Sequence, residues 1–581
     1  MYINEYRKTG GFFPAGGISA GYVTVNSDGI LGEYKLAPDN AYAPHGDFFG
    51  MFCIECSSET LGTSGRTVGS NAAFDTGCPC YEKISSHKSF PFAYAECADG
   101  DFPVNAKLVC LTPFVPLNAA DSEIPAALFE IELENISEHE LDVTVHLELS
   151  RELSAKESKV GCDKATDSAF SEYSLNEYRG NICISSDVKD ITFGKDNTLF
   201  SHVKLGAKKK CTVKFAAVWY FPDFKDGRKN YYAQYFESSS ECAVYCFKHG
   251  ERLKNLGLCL EKALSGSTVS ENLKSSLENE LENLCRLPYC RFSDGSFEPC
   301  CEDFDSLGQL LRNMSVSAMF PELDKSLMMF SLRRSKSKNV SENTRLAAVL
   351  RAYNTFLADG DSEALIEIWF YISKCIDAKE VLPDSENFGL YVLCLYAGYK
   401  MACAVKDRTR KARYKGMYEK ARDIFVNAKR AFQPEIYALL SHFGSLGELP
   451  EEYRGVNFDF DGYAGLCITS GFSYNMYDKS VCFEPDMTYA DGQGVFKSFF
   501  CTTTGFGILE EGVDYVEIRM LCGVIRVRHI RTPRKPRMTL YGGRKWKFEE
   551  KDHGADLDNV LIVTPDKKLA VIIDASREIE I

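Results

Sequence analysis

The chain has 581 residues, 45% hydrophobic and 26% charged, with a formal net charge of −15. Such a length exceeds one hydrophobic core and predicts roughly two to four domains of ordinary globular composition. The acidic balance argues against a nucleic-acid-binding surface, which needs clustered lysine and arginine. No run approaches the roughly 20 apolar residues of a membrane span. The first residues, Met1 to Arg7, lack the apolar core of a signal peptide. Cysteine is abundant at 23, an odd number that cannot pair completely within one chain. Reduced thiols in a cytoplasmic protein are therefore expected.

Residues 1 to about 260 read as strands. Tyr22-Val23-Thr24-Val25 and the residues from Ile30 onward flank Ser27-Asp28-Gly29, a hairpin signal in which Asp-Gly supplies the turn. Leu141, Val143, Val145, Leu147 and Leu149 alternate with mostly polar residues, which places them on one sheet face. Cys211, Val213 and Phe215 repeat that pattern ahead of the apolar run Val218 to Phe221. Many strands without an intervening helical period predict a large β-sandwich over 1–260.

The period changes near residue 265. Thr268-x-x-Glu271 reads as a capping box, and Leu273, Leu277, Leu281 and Leu284 follow at helical spacing. Leu346, Val349, Leu350, Tyr353, Phe356 and Leu357 define another amphipathic helix, stopped at Asp359-Gly360. A third starts at Ser362 and runs to about Cys375, and residues 388–405 are apolar nearly all round, as in a central helix. Helices at about 411–431 and 434–443 complete a set of roughly seven in a domain spanning 265–445. From about 450 to 581 the strand pattern returns, with Val516, Ile518, Val524 to Arg528, Val560 to Val563 and Leu569 to Ile573. Tyr541-Gly542-Gly543-Arg544 reads as a turn between strands of this C-terminal β-domain.

Several segments of the first 260 residues are specific. Proline interrupts short β-type runs in Phe90-Pro91-Phe92-Ala93-Tyr94, Asp101-Phe102-Pro103-Val104, Pro113-Phe114-Val115-Pro116-Leu117-Asn118 and Asp121-Ser122-Glu123-Ile124-Pro125. With Gly16-Gly17-Ile18-Ser19-Ala20-Gly21 upstream and Trp219-Tyr220-Phe221-Pro222 downstream, they resemble the N-terminal β-domain of glycoside hydrolase family 116. That family includes bacterial β-glucosidases and non-lysosomal glucosylceramidases. The resemblance implies a β-sandwich followed by an α/α toroid of helical hairpins and a retaining hydrolase that uses two carboxyl groups. The helical region is expected to be an incomplete toroid, since about seven helices fall short of the family's six hairpins.

The family's nucleophilic glutamate follows a Gly-x-Phe turn, and Asp294-Gly295-Ser296-Phe297-Glu298-Pro299-Cys300-Cys301-Glu302 holds the matching place. The resemblance implies Glu302 as nucleophile, with Glu298 as the alternative. Phe320-Pro321-Glu322-Leu323 then resembles the family's Trp/Phe-Pro-x-Leu helix start. The acid/base aspartate maps onto Leu382-Pro383-Asp384-Ser385-Glu386-Asn387, so Asp384 or Glu386 is the implied acid, although Asp384 and Ser385 would equally cap the following helix. The family's Tyr-x-Thr-x-Asp-Val segment and Pro-His-Asp loop have no counterpart here, the latter being replaced by the basic and polar stretch Leu332–Glu342. The catalytic loops are thus expected to be degenerate, with β-glucosidase-type hydrolysis weak or absent and sugar binding retained. A non-catalytic carbohydrate-binding or assembly protein on the same scaffold is the alternative.

Two groups of cysteines have spacings that bear on metal binding. Cys53-x-x-Cys56 with Cys78-x-Cys80 could form a thiolate zinc site, but the second pair lacks the usual knuckle spacing. Cys285, Cys290, Cys300 and Cys301 are spaced still less suitably. No metal and no cofactor is expected. The expected partner is a carbohydrate or glycoside, without nucleic acid or membrane span.

Overall fold

The computed structural model describes residues 13–38, 43–69, 78–153, 155–175, 178–194, 198–286, 289–300, 305, 307–337, 340–427 and 461–574. The chain divides into two compact units, Met1–Glu261 with Leu281–Ser296, and Lys262–Glu280 with Phe297–Ile581.

The first unit is a β-sandwich of a nine-stranded and an eight-stranded sheet. The alternation along Leu141–Leu149 has its expected effect, with Leu141, Val143, Val145 and Leu147 all buried. Phe52 of the first sheet meets Phe129 and Phe215 of the second at 5.2 and 5.4 Å between ring centroids, which marks the inner faces. The Asp28-Gly29 turn forms as expected: Gly29 has φ +85°, and Asp28 Oδ1 accepts the Ile30 N–H at 3.1 Å.

The motif residues of this unit form one joint. Gly17 runs so close to Glu123 and Ile124 that an added Cβ would lie 2.5 Å from the Ile124 carbonyl oxygen. Trp219 Nε1 donates to the Ala20 carbonyl at 2.7 Å, and Asn230 Nδ2 donates to the Ser19 carbonyl at 2.6 Å. Arg291 then closes the joint, with Nη1 2.9 Å from both carboxylate oxygens of Glu123 and its guanidinium 3.5 Å from the Tyr231 ring centroid. Asp121 accepts from Tyr245 and Arg252 of the helix Ser239–Ser265.

The second unit combines helices with two further sheets. Seven helices are described between Glu271 and Asn427, and Phe388–Ala404 is the central one, buried around most of its circumference. Its core takes in Leu346, Val349 and Phe356 of the helix Glu342–Asp359 and Ile372 of Ser362–Asp377. Gly360 ends Glu342–Asp359 at φ +67° with its N–H on the Phe356 carbonyl, and Asp361 caps the next helix through Glu363 and Ala364 N–H. Proline opens the helix Pro321–Ser335 at its first position.

Four local expectations need correction. Ser239–Ser265, largely within the span read as strands, is an α-helix. Thr268 does not cap the following helix: it exchanges backbone and hydroxyl hydrogen bonds with Lys497, and Ser270 Oγ accepts the Leu273 N–H instead. The stretch from Leu332 is helical to Ser335, so the connection to Glu342 is shorter than the sequence pattern implies. Asp384 has no capping role, because Asn387 holds the cap position and accepts the Tyr391 N–H through its carbonyl, without a side-chain capping bond. The helix assigned to 434–443 lies outside the described residues.

The C-terminal strands form a five-stranded sheet and a six-stranded sheet. Gly542 and Gly543, with φ +55° and +77°, make the expected turn between Pro536–Tyr541 and Arg544–Trp546. Among the described residues, no helix is long and apolar enough to cross a membrane.

Candidate functional site

A cavity of about 960 Å³ lies in the second unit, lined by helical residues on one side and C-terminal strands on the other. The helices contribute Tyr353, Asn354, Tyr396, Tyr399 and Lys400. Tyr353 and Tyr396 meet edge to face, with centroids 6.3 Å apart at 88°. Behind the wall, Asn354 Nδ2 donates to Ser317 Oγ and Ser317 Oγ to Asp324 Oδ1, each at 2.7 Å. Burial pushes the Asp324 carboxyl up to about 6. This chain of polar groups fixes the Asn354 amide at the cavity surface.

Helix termination brings the aromatic rim into place. The left-handed Gly360 lets the segment 476–477 approach so closely that an added Cβ would lie 2.8 Å from Tyr477 N. Met476 N–H donates to the Leu357 carbonyl at 2.9 Å, and the Tyr477 ring packs 5.2 Å from Phe356. Tyr477 is 41% exposed, which leaves much of its surface for a ligand.

The opposite wall is built by strand pairing. Ser480–Cys482 runs parallel to Ile525–Arg531 with Ser480 opposite His529 and Cys482 opposite Arg531. His529 and Arg531, two apart, share a face, and Ile530 between them is buried on the other. A register shift between Val527 and His529 re-aims this end of the strand. His529 Nδ1 lies 2.7 Å from Asp556 Oδ1, and Arg531 Nε donates to Glu484 Oε1 at 2.8 Å. Hydrogen bonding to His529, together with Lys551 at 3.6 Å, holds the Asp556 carboxyl below the usual carboxylate range. Asp478 accepts the Ser480 N–H and hydroxyl at 3.1 and 2.6 Å. The cavity therefore offers aromatic surface beside carboxylates that are already oriented by their own partners, and Asp556 is an acceptor at neutral pH.

The described residues among those singled out from sequence lie elsewhere. Glu302 is outside the described residues. Glu298 sits half-buried in the three-residue strand Phe297–Pro299, whose first N–H is held by Ser326 Oγ at 2.7 Å. Asp384 and Glu386 are exposed in the turn before Phe388–Ala404, where Ser385 and Asn387 both bond Glu342 Oε1 at 3.2 Å. Glu298, Asp384 and Glu386 do not line the cavity. Its charged residues went unnoticed in the sequence because His529 and Asp556 are 27 positions apart and meet only through antiparallel register.

Strand geometry governs the cysteine pair read from sequence. Cys53 and Cys56 alternate across the strand Gly50–Ser58, so they point to opposite faces and cannot form a knuckle. Cys56 Sγ is 3.5 Å from Ser64 Oγ, and Cys53 Sγ is 3.8 Å from Thr67 Oγ1.

Three kinds of comparison bear on kinship. No curated protein sequence matches the chain. Among solved structures, a protein described as a kojibiose phosphorylase from the human microbiome aligns with TM-score 0.40 and 10% identity, over 96% of each chain. A family GH92 α-mannosidase from Bacteroides thetaiotaomicron aligns with TM-score 0.29 and 10% identity, over 70% of this chain and 62% of that one. Residues 12–187 match the family described as "beta-glucosidase 2, glycosyl-hydrolase family 116 N-term". Those residues carry the Gly16–Gly21 and Phe90–Pro125 segments that form the joint around Glu123, and in this part the chain is similar to the N-terminal domains of glycosyl-hydrolase family 116.

Proposed function

We propose that the protein is a carbohydrate-active protein of the glycoside-hydrolase class whose saccharide ligand occupies the cavity of the second unit. The observation that carries this reading is the pairing of tyrosine surface, from Tyr396 and Tyr477, with the oriented polar groups Glu484, Asp556 and Asn354 in one cavity. Sugars present exactly such mixed demands, an apolar ring face and a fringe of hydroxyls, and a mostly pre-formed cleft with a few placed polar groups meets them. His529 Nδ1 is engaged by Asp556, which leaves Nε2 to address a hydroxyl. The division into domains at 1–260, 265–445 and 450–581 belongs to the same proposal. So does a cytoplasmic location.

The test is titration of the whole protein with a panel of β-glucosides and short oligosaccharides, followed by calorimetry. Binding is expected, and Asp556→Ala or Glu484→Ala should weaken it about tenfold or more, as losing a hydrogen bond to a charged group does. A panel without binders, or affinities unchanged in both variants, would reject the cavity as the saccharide site.

A second reading is retaining β-glucosidase activity, favoured by the family 116 match of residues 12–187. In it Glu302 or Glu298 is the nucleophile and Asp384 or Glu386 the acid/base, with the two carboxyl groups about 5–5.5 Å apart. The expected result is hydrolysis of an aryl β-glucoside that Glu302→Gln abolishes with an unchanged unfolding midpoint. Full activity in that variant would pass the role to Glu298, and full activity in both single variants and in their double variant would end this reading.

A further inference from the structure

We infer that the outer face of the nine-stranded sheet carries a zinc-type metal site formed by Cys53, His146 and Glu148. The Cys53 sulfur, a His146 ring nitrogen and a Glu148 carboxylate oxygen lie within 4.8 Å of one another, and Cys53 and His146 are buried. Strand geometry explains the convergence. His146 and Glu148 are two apart on Leu141–Leu149 and share one face, and Cys53 sits directly opposite His146 on Gly50–Ser58. Directly opposed residues have Cβ atoms roughly 5 Å apart, so three side chains rising from these positions meet above the sheet. Phe52, Val145 and Leu147 belong to the other, inner face, so the cluster is separate from the sandwich core.

A further thiol approaches the same face from the neighbouring segment. Residues 78–81 run beside the strand Gly62–Thr67, with Thr67 N–H donating to the Pro79 carbonyl at 2.9 Å and Tyr81 N–H to the Thr67 carbonyl at 3.2 Å. Gly65 leaves space for the Cys78 sulfur, which an added Cβ there would meet at 2.6 Å. Cys78 Sγ lies 4.0 Å from Glu55 Oε1, and Glu55 shares the outer face with Cys53. Cys78 and Glu55 are therefore the candidates for a fourth position.

Thiolate, imidazole and carboxylate together favour zinc over calcium or magnesium, which take all-oxygen shells. Ordinary zinc distances of about 2.0–2.3 Å place ligand atoms roughly 3–4 Å apart, a spacing that the three atoms, all within 4.8 Å of one another, reach by small side-chain movements. Chain spacing places Cys53 and Cys78 only in a spaced thiol set for which no metal is expected, whereas the proposed set is assembled by sheet register.

The experiment loads the full-length, metal-stripped protein with cobalt(II), whose thiolate complexes give a charge-transfer absorption in the near ultraviolet. One equivalent of cobalt with that band is expected, displaced by zinc. Cys53→Ser should lose the band, Glu148→Gln should weaken cobalt binding about tenfold or more, and Cys56→Ser should behave as wild type. Glu148 is only half-buried, so its variant reports on binding even if Cys53→Ser fails to fold. Absence of the band in wild type, or unchanged cobalt affinity in Glu148→Gln, would overturn the site.

Discussion

Replacing Glu123 by alanine is expected to destabilise the first unit by about 3–5 kcal/mol, because it strands the Arg291 guanidinium where water cannot reach it. The side chains of Arg291 and Glu123 are 5% and 2% exposed, and both carboxylate oxygens bond one guanidinium nitrogen. The Arg291 N–H also bonds Ser19 Oγ at 2.5 Å, so the same residue ties the Gly16–Gly21 segment to the joint. A buried ion pair adds little net stability over a well-packed apolar pair, yet removing one partner alone is costly. The double variant Glu123→Leu/Arg291→Met should therefore recover most of what Glu123→Ala loses. Urea unfolding followed by Trp219 emission would measure both, since that indole is fully buried beside the joint and bonded to Ala20. A loss below about 1 kcal/mol in the single variant would show that the pair is not a structural requirement.

This joint explains why the N-terminal sequence was so legible. Gly17, Ser19, Glu123 and Trp219 are fixed by backbone approach and buried polar pairing, which few other residue types satisfy. Such constraints leave recognisable strings in the chain. Periodicity likewise located the helices Glu342–Asp359 and Phe388–Ala404, because each buries a face or a whole circumference.

The cavity and the metal-binding cluster were not legible for the opposite reason. His529–Asp556, Arg531–Glu484 and Cys53–His146 are each a cross-strand or loop-to-strand meeting between distant segments. Nothing local distinguishes Asp556 from the other acidic residues of its hairpin. Thr268 shows the converse failure: its spacing to Glu271 fits a cap, but the hydroxyl is taken by Lys497, more than two hundred positions away. The one alternation that could have spoken for the cluster is His146-x-Glu148 against Cys53, and it becomes readable only once strand register is known.

Glu280→Gln is expected to remove a pH dependence worth about 3 kcal/mol from the stability of the second unit. Glu280 is fully buried, accepts the Tyr463 N–H at 3.2 Å, and has its carboxyl pushed up from 4.5 to about 7, chiefly by burial. The folded protein therefore keeps this proton over a range in which the unfolded chain has already released it. Unfolded chains bind fewer protons there, so wild-type stability falls as pH rises from about 4.5 to about 7 and levels off above. Glutamine cannot ionise and mimics the protonated form, so the variant should match wild type near pH 4 and exceed it near pH 8. Asp324 and Glu511, also raised by burial to about 6 and about 7, slope the same way in both proteins and cancel in the difference. Thermal or urea unfolding of the two proteins across that range gives the difference directly. A gap between them that stays constant with pH would mean that Glu280 ionises normally in the folded state, with its charge compensated by Arg312 rather than suppressed by burial.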